Sequence, residues 1–253
     1  MKYATLSALL ALMLTSLAHA QQNWVEGKNY FPVVPAQHTN VPPGKIEVAE
    51  VFSYGCPYCA QFNPLIEQLR KSLPANAQLV FIPASFNPPE DWPMFQRATC
   101  TAQTLGILDR THDAMFDAVW KTGELAITDP NTHALKNPLP TIEDAAQFYH
   151  RVSGVAVDKF LQTAKSFAVD VQMRRADALI LAYHIDSTPS MVVNGKYRVT
   201  IQSAGGMEPM IRVTQWLVAR ESKSLANAPA PKPDADAPAS KQSKPVVKAP
   251  ASK

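Results

Sequence analysis

Two cysteines separated by two residues are the part of this sequence best suited to chemistry. Cys56 and Cys59 lie in the stretch VFSYGCPYCA, and the chain of 253 residues contains only one other cysteine, Cys100. Residues 44–55 alternate in polarity and then become apolar, which predicts a buried strand that ends at a glycine turn. The segment that follows begins with Pro57 and carries apolar residues at helical spacing, which predicts a helix. Cys56 is therefore expected at a strand-to-helix junction.

That position favours a reactive thiol. At the start of a helix, unpaired backbone N–H groups and the positive end of the helix dipole face the first cysteine. Both stabilise the thiolate and lower the pKa of the thiol. We expect Cys56 to be the exposed nucleophile, and Cys59, one turn into the helix, to be more buried and to resolve a mixed disulfide. A stabilised thiolate also makes the disulfide a stronger oxidant.

Other interpretations of the cysteine pair are less favoured. A zinc site needs about four ligands, but the sequence has no second CxxC motif and its six histidines are scattered. A structural disulfide suits an exported protein, although a bridge across so short a gap removes little chain entropy. We therefore expect a reactive pair, with no metal and no other cofactor. Cys100 lies in a helical apolar pattern and is expected to be a buried free thiol.

The two ends of the chain indicate where the protein works. Residues 1–20 combine Lys2, an apolar run and an Ala-His-Ala ending, the pattern of a cleavable signal peptide. Residues 222–253 are rich in Ala, Pro, Lys and Ser and lack aromatic residues, so we expect a disordered tail. Without the tail and Lys2, the formal charge falls from +3 to about −2, and nothing marks the body as a nucleic-acid binder.

The body between these ends predicts an α/β fold that is interrupted by helices. Residues 21–90 contain a strand, a helix and a second strand, and residues 91–183 contain several apolar patterns of helical spacing. Residues 184–221 contain two β-rich runs around Asn194 and Gly195, a strong hairpin signal, and a last helix. This order predicts one α/β domain with an all-helical insertion.

The stretches EVFSYGCPYC and STPSMVVNGKYRV together resemble the DsbA family of periplasmic thiol:disulfide oxidoreductases. The resemblance covers about residues 21–220 and implies a thioredoxin fold with an inserted all-helical domain. It implies an enzyme that introduces disulfide bonds into newly translocated proteins in the periplasm. Its partners would be folding exported proteins with free cysteines and a quinone-linked membrane oxidase of the DsbB type. We expect a monomer that binds no nucleic acid.

The resemblance also gives roles to the residues of the CPYC motif. Cys56 matches the nucleophile of the family and Cys59 its resolving cysteine, with Pro57 and Tyr58 between them. The strongest oxidants of the family carry His at the place of Tyr58. CPYC also occurs in the DsbC and DsbG isomerases, so the balance between oxidation and isomerisation stays open.

Residues outside the motif match three further positions of the family. Thr188 and Pro189 match a segment whose proline is cis and whose backbone pairs with the substrate peptide. Glu50 matches an acidic residue beneath the active site that could relay protons to Cys59, and Glu47 is the other candidate for that place. The next strand carries Phe81 where many members have a lysine partner for the buried acid.

Two alternative functions follow from these departures. One is a monomeric disulfide isomerase or reductase, since residues 21–44 leave no room for the dimerisation domain of DsbC and DsbG. The other is a thioredoxin-fold binding protein that uses the cis-proline groove without turnover.

The loop 87–92 is expected on the active-site side, while the indole of Trp92 is expected in the core of the helical block.

Overall fold

A five-stranded mixed sheet organises the protein, of which the computed structural model describes residues 23–227. The strands are β1 (Phe31–Pro32), β2 (Ile46–Phe52), β3 (Ala77–Pro83), β4 (Ser190–Val193) and β5 (Tyr197–Thr200). Their spatial order is β1-β5-β4-β2-β3. β2 and β3 are parallel, and the other neighbours are antiparallel. The predicted signal peptide, 1–20, lies outside the described residues.

The second strand is the centre of this sheet and ends at the cysteine pair. All seven residues of β2 are buried, because the strand has neighbours on both sides and helices pack against the sheet. Five of its seven residues are apolar and suit that environment, and the other two are the buried Glu47 and Glu50. Helix α1 (Pro57–Ser72) follows after a short turn. The predicted strand-to-helix junction at Cys56 is therefore present.

Five helices lie between β3 and β4, where the sequence predicts a helical insertion. They are α2 (Trp92–Thr104), α3 (Leu108–Trp120), α4 (Ile142–Ser153), α5 (Val157–Ala164) and α6 (Phe167–Ala182). A short 3-10 turn, Pro88–Glu90, connects β3 to the first of them. A sheet with this insertion confirms the predicted fold class.

The hairpin between β4 and β5 turns at the predicted residues. Asn194 and Gly195 both have positive φ values, of 55° and 64°, and the N–H of Lys196 donates to the carbonyl of Val193 at 3.0 Å. This is the primed turn that an Asn-Gly pair favours. A side chain on Gly195 would also lie 2.3 Å from the carbonyl oxygen of Gln37, so only glycine fits there.

The last helix is longer than the sequence pattern suggests. After the short α7 (Ile201–Ala204), α8 runs from Met207 to Ala226, past residue 221, where the sequence predicts that the folded body ends. The prediction that the disordered tail begins at Ser222 is therefore wrong for residues 222–226, which are helical. The sequence has no glycine or proline between 210 and 228 to stop the helix. The rest of the predicted tail, 228–253, lies outside the described residues.

A buried carboxylate near the end of α8 ties the helix to the rest of the protein. The carboxylate of Glu221, with a side chain only 5% exposed, accepts hydrogen bonds at 2.7 Å from Asn194 Nδ2 and Lys196 Nζ. These contacts tie the helix to the hairpin turn. No helix in the described range 23–227 is long and apolar enough to cross a membrane.

Candidate active site

Cys56 is the N-cap residue of α1. Its backbone is extended, Pro57 takes the first helical position, and the N–H of Cys59 donates to Cys56 Sγ at 3.4 Å. The first turn of the helix has no acidic side chain. The positive end of the helix therefore faces the sulfur without a competing negative charge.

The two thiols of the motif have opposite acid strengths. The hydrogen bond from the Cys59 thiol, helped by the Thr188 side chain and the N–H groups of Cys59 and Tyr58, lowers the pKa of Cys56 from 9.0 to about 6 against the effect of burial. Burial, together with that hydrogen bond to Cys56, raises the pKa of Cys59 well above its ordinary value. At neutral pH the pair therefore holds a thiolate at Cys56 and a thiol at Cys59.

The expectation that Cys56 is exposed is wrong. Only 4% of the residue is accessible, while Tyr58 is 59% exposed and Cys59 is fully buried. The segment around Thr188 covers the sulfur, and the Thr188 carbonyl oxygen lies 3.5 Å from Cys56 Sγ. That contact joins residues 132 positions apart, so the sequence pattern around the cysteine pair could not reveal it.

The structure brings Thr188 and Pro189 beside the cysteine pair. The peptide bond between them is cis, as the family resemblance implies. The next residue, Ser190, pairs with Val51 in the antiparallel β2–β4 ladder, so the segment lies against the turn that precedes α1. The Thr188 carbonyl and the Cys56 sulfur thus lie on one small surface, next to the exposed Tyr58.

The two glutamates of β2 have different surroundings. Both are 1% exposed, but they are three residues apart and so point to opposite faces of the sheet. Glu47 accepts the N–H of Asn40 at 2.6 Å. Glu50 has no hydrogen-bond partner among the described residues; burial, and then the negative charge of Cys56, raise the pKa of its carboxyl well above its ordinary value. Of the two glutamates, only Glu50 has a pKa that responds to the charge of Cys56.

A positive charge reaches Glu50 from α1. Phe81 pairs with Glu50 across the β2–β3 ladder, at the position that the family resemblance implies. The guanidinium of Arg70 lies 5.4 Å from the centre of the Phe81 ring, and its charge partly lowers the pKa of Glu50. Arg70 on α1 therefore provides a positive charge near the buried acid.

Sequence reasoning missed the residues that hold the turn before Cys56. The hydroxyl of Tyr54 lies 2.8 Å from His112 Nδ1, and the indole N–H of Trp120 donates to the Tyr54 carbonyl at 2.7 Å. Burial lowers the pKa of His112 to about 3, so its ring is neutral at pH 7. Both partners come from α3, 58 and 66 residues further along the chain. The one local signal was a tyrosine at the buried end of a strand.

Trp92 also supports this turn. A side chain on Gly55 would lie 2.7 Å from Trp92 Nε1, so the indole packs directly on the glycine backbone. The residue is 7% exposed, and its ring lies 5.8 Å from that of Phe86. Trp92 is thus part of the core, as expected, but it lies against the active-site turn as well as within the helical block.

The third cysteine is inert. Cys100 is unpaired, 1% exposed and in the middle of α2, as the sequence predicts. Burial, and then the charge of Asp177, raise the pKa of its thiol to about 12. At neutral pH it is therefore a thiol rather than a thiolate, and its burial keeps it from acting as a nucleophile.

Comparison with known proteins shows which family this chain belongs to. A family model described as thioredoxin matches residues 42–212. The thiol:disulfide interchange protein DsbA of Pseudomonas aeruginosa is 36% identical over 225 residues, which cover 87% of this chain and 97% of that protein. The chain belongs to the DsbA family. The DsbA of Pseudomonas syringae pv. tomato is 37% identical over 216 residues, 85% of this chain and 93% of that protein.

Solved DsbA structures share the fold. A crystal structure of a Pseudomonas aeruginosa DsbA variant has a TM-score of 0.69 at 36% identity and covers 79% of this chain and 100% of that one. The DsbA of Xylella fastidiosa has a TM-score of 0.69 at 31% identity, with 79% and 98% covered. This DsbA-family chain is therefore a thiol:disulfide oxidoreductase with a thioredoxin fold.

Proposed function

We propose that this protein introduces disulfide bonds into newly exported proteins by dithiol–disulfide exchange at Cys56 and Cys59. The observation that carries the proposal is the difference between the two thiols: the pKa of Cys56 is about 6, and that of Cys59 is well above its ordinary value. Stabilisation of the Cys56 thiolate favours the reduced enzyme, which makes the oxidised enzyme a donor of disulfides.

The exchange proceeds in two steps. A substrate thiolate attacks Cys56 Sγ of the oxidised enzyme, the Cys56–Cys59 bond breaks, and Cys59 leaves as a thiolate that takes up a proton. The second substrate thiolate then attacks the substrate sulfur of the mixed disulfide and releases the Cys56 thiolate. The substrate is oxidised by two electrons and the enzyme is reduced. Cys56 is a good leaving group in the second step because its thiolate is stable at neutral pH.

Glu50 supplies the proton that Cys59 needs. Its carboxyl is buried and its raised pKa keeps it protonated when surface carboxyls are charged. The charge of Glu50 also contributes to the raised pKa of Cys59, so the two groups interact. A protonated Glu50 can therefore neutralise the departing Cys59 thiolate without a full charge being buried.

The substrate is held beside the cis-proline segment. The carbonyl oxygen of Thr188 lies next to the Cys56 sulfur and accepts a backbone N–H of the substrate chain, while Pro189 and the exposed Tyr58 border the same surface. Backbone pairing of this kind accepts many sequences, as an enzyme that acts on unfolded chains requires.

The remaining partners and the location follow from family membership and the predicted signal peptide. We propose that the protein works as a monomer in the periplasm. Folding exported proteins with free cysteines are its substrates, and a quinone-linked membrane oxidase of the DsbB type returns Cys56 and Cys59 to the disulfide.

A redox assay tests this function against its alternatives. The oxidised protein is mixed with a reduced, unfolded substrate that has two cysteines, and thiol loss and disulfide formation are followed by mass spectrometry. We expect rapid oxidation by the wild type and none by Cys56→Ser. Equilibration with glutathione gives the reduction potential, which we expect above the value of about −270 mV typical of thioredoxin.

The same assay separates the other functions. A thioredoxin-like potential would contradict the oxidase. Faster rearrangement of a scrambled substrate than oxidation of a reduced one would indicate an isomerase. A Cys56→Ser variant that keeps the full effect on substrate folding would indicate a binding protein without turnover.

A further inference from the structure

The outer edge of β3 has backbone groups that the sheet does not use. The N–H of Ile46 donates to the carbonyl of Asn76 at 2.8 Å, and the N–H of Ala84 donates to the carbonyl of Phe52 at 2.7 Å. These two bonds fix the phase of the parallel β2–β3 ladder, so the even-numbered residues of β3 bond to β2. The odd-numbered residues direct their N–H and C=O groups away from the sheet.

Only part of this edge is satisfied within the protein. Glutamine side chains of α2 donate to the outward carbonyls of Phe81, at 2.8 Å from Gln103 Nε2, and of Pro83, at 3.2 Å from Gln96 Nε2. The N–H and C=O of Leu79 and the N–H of Phe81 form no hydrogen bond with any side chain or loop of the described residues. Donor and acceptor thus alternate along a free strand edge.

A groove runs beside these groups. It has a volume of about 470 Å³, and its walls are β3 from Gln78 to Pro83, the end of α2, the start of α3 and one side of α6. Because side chains of α2 occupy the outward carbonyls of Phe81 and Pro83, the free part of the edge lies around Leu79 and the N–H of Phe81. It spans about 10 Å, which is the length of about three residues of an extended segment. Leu79, Ala176 and Leu179 provide apolar contacts for its side chains.

The groove also contains a positive charge that forms no ion pair within the described residues, although it acts on the buried carboxyl of Glu47 and partly offsets the raised pKa of that group. Arg175 on α6 lines it and is exposed, and within residues 23–227 it forms no ion pair. The acidic residue at the same groove, Asp109, is paired with Arg70 at 3.3 Å. A ligand with a negative side chain would therefore complement the groove.

We infer that this groove binds an extended segment of an unfolded polypeptide, which adds to the edge of β3 as a strand and pairs an acidic side chain with Arg175. Strand addition uses alternating backbone donors and acceptors of this kind, and side-chain pockets give it selectivity. The edge of β3 is therefore a peptide site separate from the cysteine pair.

The groove leads toward the cysteine pair. β3 ends at Pro83, and the chain continues to Phe86, which packs on Trp92, the residue that covers Gly55. Because β2 and β3 are parallel and Pro83 pairs with Phe52, a polypeptide bound along β3 extends toward the end of the sheet that carries Cys56. That the bound chain is a substrate rests on the proposed function, whereas strand addition itself does not.

Binding is tested on the full chain with both catalytic thiols removed. The Cys56→Ser/Cys59→Ser variant is titrated with a fluorescein-labelled, cysteine-free decapeptide of alternating Val and Thr with one central Glu. We expect a saturable rise in anisotropy and, in ¹⁵N spectra, shifts of the Leu79 and Phe81 amides. In the same background, Arg175→Glu should weaken binding about tenfold or more, and a peptide with Lys in place of Glu should recover it.

Two comparisons keep the test specific. Arg174→Glu changes the neighbouring arginine, which lies over Phe167 at 5.8 Å, and should leave peptide affinity within about twofold. Leu79→Pro removes an outward N–H without removing a ladder bond and should abolish binding. Equal losses in Arg174→Glu and Arg175→Glu, or amide shifts confined to residues near Cys56 and Pro189, would overturn the inference. Because these variants have no redox chemistry, failure here leaves the oxidase assay unaffected.

Discussion

The first turn of α1 and the middle of α2 each bury a thiol, but these thiols ionise in opposite ways. Cys56 is 4% exposed and Cys100 is 1% exposed, yet the pKa of Cys56 is about 6 and that of Cys100 about 12. Burial is similar in the two regions, so it cannot be the cause of the difference. What differs is the supply of hydrogen-bond donors.

Helix position explains that supply. In the middle of a helix, backbone N–H groups donate to carbonyls one turn earlier, and none is free for the sulfur of Cys100. Before the first turn the N–H groups have no such partner, and Cys56 accepts from them and from the Cys59 thiol. The local placement of a thiol can therefore outweigh the desolvation that its burial causes.

The largest effect of the difference between Cys56 and Cys100 is expected in the pH dependence of the reduced protein's stability. A folded pKa of about 6 against an ordinary 9.0 contributes stability that is fully present above pH 9 and is lost as pH falls through 6. We expect the reduced wild type to gain up to about 4 kcal/mol over reduced Cys56→Ser between pH 6 and 9. Urea unfolding at several pH values measures this, and parallel curves would contradict it.

A smaller effect is expected when only the contribution of the Cys59 side chain to the pKa of Cys56 is removed. Cys59→Ala removes the largest cause of the low pKa of Cys56 but leaves the backbone N–H groups in place. We expect the pKa of Cys56 to rise by about one unit, or about 1.4 kcal/mol. Thiolate absorbance titrated against pH measures it. An unchanged pKa would mean that Thr188 and the backbone N–H groups stabilise the thiolate without the Cys59 thiol.

Replacement of the buried acid Glu50 tests how a neighbouring carboxyl affects the cysteine pair. The pKa of Glu50 is raised in the folded protein, so the carboxyl ionises more readily in the unfolded chain. This difference lowers the free energy of unfolding increasingly as pH rises above 4.5. Glu50→Gln should therefore be more stable than the wild type by about 1 kcal/mol at pH 8 and no more stable at pH 4. It should also slow the exchange step that needs a proton. Denaturant unfolding at both pH values and thiol-exchange kinetics measure these effects.

Glu47→Gln is the matched control for that substitution. Glu47 is equally buried but accepts the N–H of Asn40 and lies on the other face of β2. We expect no change in exchange rate in this variant. If disulfide exchange slowed equally in both variants, the cause would be a disturbed sheet rather than the loss of a proton donor for Cys59.

The smallest effect is expected at the inert thiol. Cys100→Ala leaves a small cavity in α2 and should cost about 1 kcal/mol of stability. The pKa of Cys56 and the rate of disulfide exchange should stay the same. A lower exchange rate in a variant that folds normally would mean that the two regions are coupled.

Short-range patterns account for what sequence analysis could predict. The strand before Cys56, the proline at the first helical position and the Asn-Gly turn are each encoded within a few neighbouring residues, and all three are present. The same holds for the five helices of the insertion, whose apolar spacing is local. Local encoding is also why the fold class could be predicted.

Contacts between distant residues account for what it could not. The burial of Cys56 under Thr188, and the bonds from His112 and Trp120 to Tyr54, join parts of the chain that only the folded sheet brings together. The helical end of α8 depends on the pairing of Glu221 with the hairpin, which a composition-based tail prediction does not include.

The hairpin turn has a consequence for how long the molecule stays chemically intact. An Asn-Gly sequence in a flexible chain loses its amide readily, because the glycine nitrogen attacks the asparagine side chain and forms a succinimide. Here Glu221 holds the side-chain nitrogen of Asn194 at 2.7 Å, and Gln37 lies against Gly195. The attack would have to break this packing. We therefore expect Asn194 to deamidate slowly in the folded protein and quickly once the protein unfolds.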